Sequence, residues 1–157
     1  QITGDSIHIK FDTDKNIIDS LFVFNNAFII EKDSIGLGFN QISGKRLNGS
    51  FTDGKLKEVD IIKNAESVYY LRNSENELIG IDKSKSAKIK IFISNQNIDI
   101  FTKINQIDGK VYPEDEFDEN DKLLKGFHFR EDEIIKNIDD LFLEDKKFKL
   151  TKIKYID

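Results

Sequence analysis

The sequence predicts a mainly β protein built from repeated hairpin units, with one short helical segment near the C-terminus. Three observations predict it. The phrase "IIDSLFVFNNAFII" (Ile17–Ile30) is written again as "LKEVDIIKNAESVYY" (Leu56–Tyr70), so that Leu21/Val59, Val23/Ile61, Asn26/Asn64 and Ala27/Ala65 all lie 38 apart. A fixed offset of this size marks a repeated supersecondary unit. Apolar and polar residues alternate in short runs between polar turn clusters, the period of a strand with two different faces. A helical period occurs once, over Glu131–Leu143, where Ile134, Ile135, Ile138, Leu141 and Phe142 recur at helix spacing.

Each element follows in order. Ser6–Phe11 alternates, with Ile7, Ile9 and Phe11 on one face and Ser6, His8 and Lys10 on the other. "DTDKN" (Asp12–Asn16) is a turn, and Ile18–Phe24 a second strand. The same grammar returns in Gly44–Phe51, the turn "TDGK" and Leu56–Ile62, and a third time in Ser86–Ile93, "SNQN" and Ile98–Ile104. Asp53-Gly54 is the strongest hairpin signal, because glycine accepts the positive φ of a tight turn. "QIDGKVYP" (Gln106–Pro113) stands where the Asn-Ala phrase stood in the earlier copies. The result is three copies at a period of about 40, each a hairpin, a corner and a further short strand. One hairpin is marginal in water, and stacking lets each cover its neighbour's apolar face. In the first copy both faces are apolar, Leu21 and Val23 pointing one way, Phe22 and Phe24 the other. That pattern suits either a flanking layer over the Phe face or an interior groove for an apolar ligand.

After Pro113 the texture changes. Glu114–Lys122 is acidic and turn-like, Leu123–Arg130 ("LLKGFHFR") reads as one more strand, the helical segment follows, and Phe148–Ile156 alternates again. The chain is read as a single domain, 1–157, with 113–157 as a C-terminal extension packing on or extending the sheet. It opens at Gln1 inside a polar run without a signal-peptide layout, which is the expectation for a processed chain or a piece of a longer protein.

Composition narrows the function classes. At 157 residues, with 38% hydrophobic residues and 13 Phe, the chain can build a core. A net charge of −5, with lysines and acids interleaved, is unsuited to a sequence-independent grip on nucleic acid, which needs a basic face. Cysteine is absent, which removes disulfides and thiolate metal sites. The two imidazoles, His8 and His128, stand alone; the first reads as solvated, the second as a strand-face residue. Adjacent acids such as Asp115/Glu116 and Asp139/Asp140 do not provide the separated carboxylates, one with a raised pKa, that glycoside hydrolysis needs. "GLGFNQISG" (Gly36–Gly44) lacks the strand–helix context of a phosphate loop and reads as a β corner. Asn48-Gly49-Ser50 is a formal glycosylation sequon. No catalytic site, cofactor or metal is expected.

The stretches "FNQISGKRLNGSFTDGKLKEVDIIKNAESVYYL", "NELIGIDKSKSAKIKIF" and "GKVYPEDEF" with "LLKGFHFR" resemble the OstA-like (LptA-related) proteins of Bacteroidetes-type bacteria, a lipopolysaccharide-transport family. The resemblance runs from about Gly4 to Phe142 and is most specific at Asn40–Gly44, Glu77–Asp82 and Lys125–Arg130. It departs after Arg130, where "EDEIIKNIDDLF" replaces the basic, proline-containing segment of the family pattern. The resemblance implies an open β-jelly roll in the periplasm, without catalysis, that binds the acyl chains of lipopolysaccharide in an apolar groove. Its implied partners are lipopolysaccharide or lipid A, and other transport components or further copies joined by edge-strand addition. The groove residues are then Ile7, Ile9, Phe11, Leu21, Val23, Ala27, Val59, Ile61, Ala65, Ile89, Ile91 and Phe101. The candidate edges are Ser6–Phe11 and Phe148–Ile156, each with lysines (Lys10; Lys149, Lys152, Lys154) that discourage indiscriminate pairing. The alternative is a β-sandwich interaction or adhesion module with a closed core and no lipid.

Overall fold

The computed structural model describes residues 1–33, 35–36, 38–94, 97–134 and 138. Contacts divide the chain into two units, Gln1–Phe127 and His128–Asp157. The first unit is one open antiparallel sheet of eight strands. They are β1 (Ile2–Thr3), β2 (Ser6–Asp12), β3 (Ile17–Lys32), β4 (Phe39–Thr52), β5 (Lys55–Arg72), β6 (Leu78–Ser94), β7 (Asn97–Ile104) and β8 (Asp108–Tyr112). The path through the sheet is β1-β3-β4-β5-β6-β7, with β2 also on β3 and β8 also on β6. Consecutive long strands are neighbours, so the connections are short. Asp53 (φ 51) and Gly54 (φ 70) close the β4–β5 hairpin as a tight turn with two left-handed residues. The Asp12 carboxylate accepts the Asp14 and Lys15 amides to close β2–β3.

Strands of 14 to 18 residues are longer than globular strands usually are, and here each one bends. β3 breaks register between Phe24 and Ala27, β4 between Ser43 and Arg46, and β5 between Ile62 and Ala65. At the breaks stand pairs of left-handed residues: Asn25 and Asn26, then Lys63 and Asn64, then Asn105 and Gln106 between β7 and β8. Asparagine tolerates this conformation better than most residues, so the Asn-Ala phrases mark the corners. The intervening strands bend at the same level. The Asp5 amide donates to the Asn25 carbonyl at 3.1 Å and the Ala87 amide to the Asn105 carbonyl at 2.9 Å. The corners form a line across the sheet and divide it into two leaves.

The first leaf holds β2, β7 and residues 17–24, 46–52, 55–62 and 88–94; the second holds β1, β8 and residues 27–32, 39–43, 65–72 and 78–85. The leaves fold toward each other. Val23, Leu47, Val59, Ile61, Ile89 and Ile91 from the first pack in one core with Ile42 from the second, and with Ala27 and Ala65 at the corner.

The outer face of the second leaf is covered by residues 113–127, a strap with two 3-10 turns at Glu114–Glu116 and Glu119–Asp121. Phe117 and Leu124 are buried. Phe117 meets the Tyr112 ring at 5.3 Å, and Phe127 meets Phe39 at 5.1 Å. Gln41, fully buried, staples the strap. Its Nε2 donates to the Lys122 carbonyl at 2.7 Å, and its Oε1 accepts the Leu124 amide at 2.8 Å. Gln41→Leu would strand both backbone groups, at a cost of about 1–3 kcal/mol for each group that stays buried. Detaching the strap lets water satisfy them. Limited proteolysis should therefore cut Gln41→Leu within 113–127 well before the sheet unfolds, whereas the wild type resists there.

The expectation of a strand over Leu123–Arg130 is corrected. Gly126 (φ 92) sits in a turn closed by the Phe127 amide on the Leu124 carbonyl, and the segment has no ladder partner among the described residues. Leu124 and Phe127, three residues apart, anchor the strap there, so the run is held by packing and not by a ladder. In the second unit Glu131–Glu133 is a 3-10 turn, beside which Arg130 pairs with Glu133 at 3.3 Å. Most of the helix expected over Glu131–Leu143, and all of Phe148–Ile156, lie outside the described residues.

Candidate functional site: the inner face between the leaves

Strand register places the apolar residues in rows. Ile7, Val23, Leu47, Ile61, Ile89 and Lys103 form the row nearest the corner on the first leaf. Ile9, Leu21, Gly49, Val59, Ile91 and Phe101 form the next. On the second leaf the facing row is Ile29, Ile42, Ser67, Ser84 and Gly109. Beyond it, Tyr69 and Asp82 pair across β5 and β6.

Of the twelve residues expected to line a groove, seven are buried in the shared core: Val23, Ala27, Val59, Ile61, Ala65, Ile89 and Ile91. Leu21 and Phe101 pack against it half-buried. Ile7 and Ile9 stand on the same face but are 46% and 50% exposed, and Phe11, past the register shift in β2, is 53% exposed. Burial is therefore graded along the row. It is complete at the centre and falls away on β2, which pairs only with β3 among the described residues. Leu47 and Ile42 belong to the same core and were not among the expected residues. By register Ile7, Leu47 and Ile89 occupy equivalent places in the three copies, opposite Val23, Ile61 and Lys103.

At the opposite end the face turns polar. Lys103 Nζ, from the first leaf, donates to Asp82 Oδ2, on the second, at 2.6 Å. Ser84 Oγ donates to the same oxygen at 3.1 Å, and the Ser84 and Ser67 hydroxyls share a hydrogen bond of 2.9 Å. Beside this chain the Tyr69 and Phe101 rings meet across the leaves at 5.5 Å, with the Lys103 ammonium 5.9 Å from the Phe101 ring. Burial, reinforced by the charges of Glu31 and Asp33, pushes the Tyr69 phenol above its ordinary range and keeps it protonated. None of these polar residues stood out in the sequence, because alternation does not show that two distant charged positions meet across a fold.

A second buried ion pair closes the far end of the second leaf. Asp33 accepts from Arg72 and from the Ile35 amide, while Arg72 Nη1 donates to the Asn76 carbonyl at 2.8 Å. Burial works to raise the Asp33 carboxyl, but the Arg72 guanidinium and the Ile35 and Gly36 amides outweigh it and hold it below the usual range. This pair ties two loops together.

The outer face of the first leaf is a mixed surface. Phe24 is met edge-on by the His8 ring at 5.2 Å and overlaid by Arg46, while Asp60 pairs with Lys88 at 2.8 Å. His8, exposed as expected, also bonds Ser6 Oγ at 3.1 Å. Among the described residues no group of three or more His, Cys, Asp or Glu is placed to hold a metal ion. No helix among them is long and apolar enough to cross a membrane.

The geometry defines an all-β protein with an inward apolar face that is packed at its centre, open at one edge and polar at the other. Comparison with protein-family models, with curated proteins and with solved structures found no match to this chain.

Proposed function

We propose that the chain is a non-catalytic β-jelly-roll module of the lipopolysaccharide-transport type. It acts in the periplasm, binding acyl chains on its inner face and passing them along. One observation carries the reading: the apolar rows continue onto β2 and stay apolar where the side chains are about half exposed, at Ile7, Ile9 and Phe11. A long edge strand exposed to water is usually blunted by charged residues, a bulge or a covering segment. An apolar face ending at an edge unpaired among the described residues suits an acyl chain, and that edge suits a further copy or another transport component added by strand pairing.

A specific observation favours the alternative, a closed-core interaction module. Val23, Leu47, Ile61 and Ile89 are at 0% exposure, so the centre of the face is filled by the protein itself. The two readings differ at the rim. Native mass spectrometry and fluorescence displacement with purified lipopolysaccharide and palmitate would separate them. Ile7→Ser/Ile9→Ser should lower lipid retention about tenfold, as expected for the loss of two partly exposed apolar contacts, and should move the melting temperature by no more than a few degrees. Wild-type protein that retains neither ligand, or a double variant that retains both unchanged, would leave the closed-core module standing.

A further inference from the structure

The ion pair between Lys103 and Asp82 occupies an unusual place. Lys103 closes a row of otherwise apolar side chains, next to Ile89 on the neighbouring strand and two residues from Phe101 on its own. Its side chain is 21% exposed and that of Asp82 is 11% exposed. The pair joins the two leaves at the β7–β8 end, where each strand has an unpaired side among the described residues. On the same face, directly across from Asp82, Val111 is 48% exposed, so an apolar surface reaches the pair from outside. Exchanging a buried ion pair for apolar residues of similar volume is often neutral or stabilising, so stability alone gives no reason for one here.

Resting on the lipid-binding reading above, we infer that this end of the inner face is a binding site for a long-chain anionic amphiphile, with Lys103 as the residue that takes its head. Asp82 stands in for that head. Its carboxylate occupies the ammonium in the ligand-free protein and also accepts from Ser84, whose hydroxyl in turn bonds Ser67. A carboxylate or phosphate arriving from the β8 edge replaces Asp82 on Lys103, and its alkyl chain lies against Val111 and Phe101. Asp82 keeps its bond to Ser84 and turns to water at the edge. The exchange leaves Lys103 paired throughout, which a neutral head cannot do. The site therefore selects for negative charge on an alkyl chain, without distinguishing a fatty acid from an alkyl phosphate in advance.

The experiment is isothermal titration of the whole chain with palmitate, hexadecyl phosphate and hexadecanol, each below its critical concentration, on the wild type, Lys103→Met, Lys103→Arg and Asp82→Asn. The two anions should bind wild type about tenfold more tightly than hexadecanol, the size of one charge-assisted hydrogen bond. Lys103→Met should abolish that preference, bringing the three ligands to similar affinity, and Lys103→Arg should retain it. Asp82→Asn, which removes the competing charge, should widen the preference for both anions over hexadecanol. Tighter palmitate than hexadecyl phosphate assigns a fatty carboxylate, and the reverse order assigns a phosphate head. Thermal melts of each variant identify any that does not fold, and the wild-type comparison of the three ligands stands without them. Equal binding of all three, or an anion preference that survives in folded Lys103→Met, overturns the inference and leaves the lipid reading intact. Absence of binding by every alkyl ligand overturns both.

Discussion

Ile61→Asp is expected to leave the protein largely unfolded at room temperature. Ile61 lies at 0% exposure in the row between Leu47 and Ile89, with the corner residue Ala65 in the same core. A carboxylate there has no cation to meet, since its cross-strand neighbours are both aliphatic. An unpaired buried charge costs about 3–5 kcal/mol, and the burial of the isoleucine is lost as well, about 1.5–3 kcal/mol more. Domains of this size are stable by only about 5–15 kcal/mol. The control is the next residue. Ile62 points to the outer face, half-buried, with Arg46 and Lys88 as its cross-strand neighbours. Ile62→Asp places a carboxylate between two cations and should cost less than about 1 kcal/mol. Urea unfolding followed by circular dichroism checks both. Equal losses at 61 and 62 would mean that the two faces of β5 are not distinct.

Gly44→Ala is expected to destabilise the protein by about 1–3 kcal/mol through overpacking at the corner. A Cβ on Gly44 would stand 2.5 Å from Ile61 Cγ2 and 3.4 Å from the Lys63 carbonyl oxygen. Gly4, the equivalent residue of the first copy, is in the same position against Val23 Cγ1 at 2.2 Å and the Asn25 oxygen at 3.1 Å. In both copies the missing side chain makes room for the core residue two places before the left-handed pair. The third copy uses Ser86 at this level, with its hydroxyl donating to the Lys88 carbonyl at 3.0 Å. Ser86→Ala removes only that bond and should cost about 1 kcal/mol. The clash is testable as a coupling. Combining Gly44→Ala with Ile61→Ala should cost at least about 1 kcal/mol less than the sum of the separate losses, because the shortened residue vacates the space. Strict additivity by urea melts would refute the clash.

Much of the first unit was legible. Asn26 and Asn64, 38 apart, both adopt the left-handed conformation, and the phrase that looked repeated is a repeated corner. Period-two alternation sorted Leu21 and Val23 from Phe22 and Phe24 correctly, because a strand in a sheet has no other way to present its side chains. "LLKGFHFR" misled for the same reason. Its alternation is real, but Leu124 is positioned by Gln41, 83 residues earlier, and not by a ladder. A segment held by one distant side chain leaves no periodic trace of that partner.

The inner face divides in the same way. Ile7, Val23 and Ile61 share one alternation and one row, and local sequence gives no reason to treat them differently. The fold separates them, since Val23 and Ile61 have a strand on each side and a leaf above, while Ile7 lies on a strand paired on one side among the described residues. Nothing in the local sequence links Lys103 to Asp82, and only the corner line, which brings the leaves together, sets one against the other at 2.6 Å. The sequence by itself determined the mainly β class, the turn at Asp53-Gly54, the Asn-Ala corners and which hairpin side chains share a face, because those depend on local backbone preference and period. The tertiary structure decided which part of the shared face is sealed, which edge stays apolar and open, and which end carries a charge. These depend on how many neighbours each strand has once the sheet has folded over.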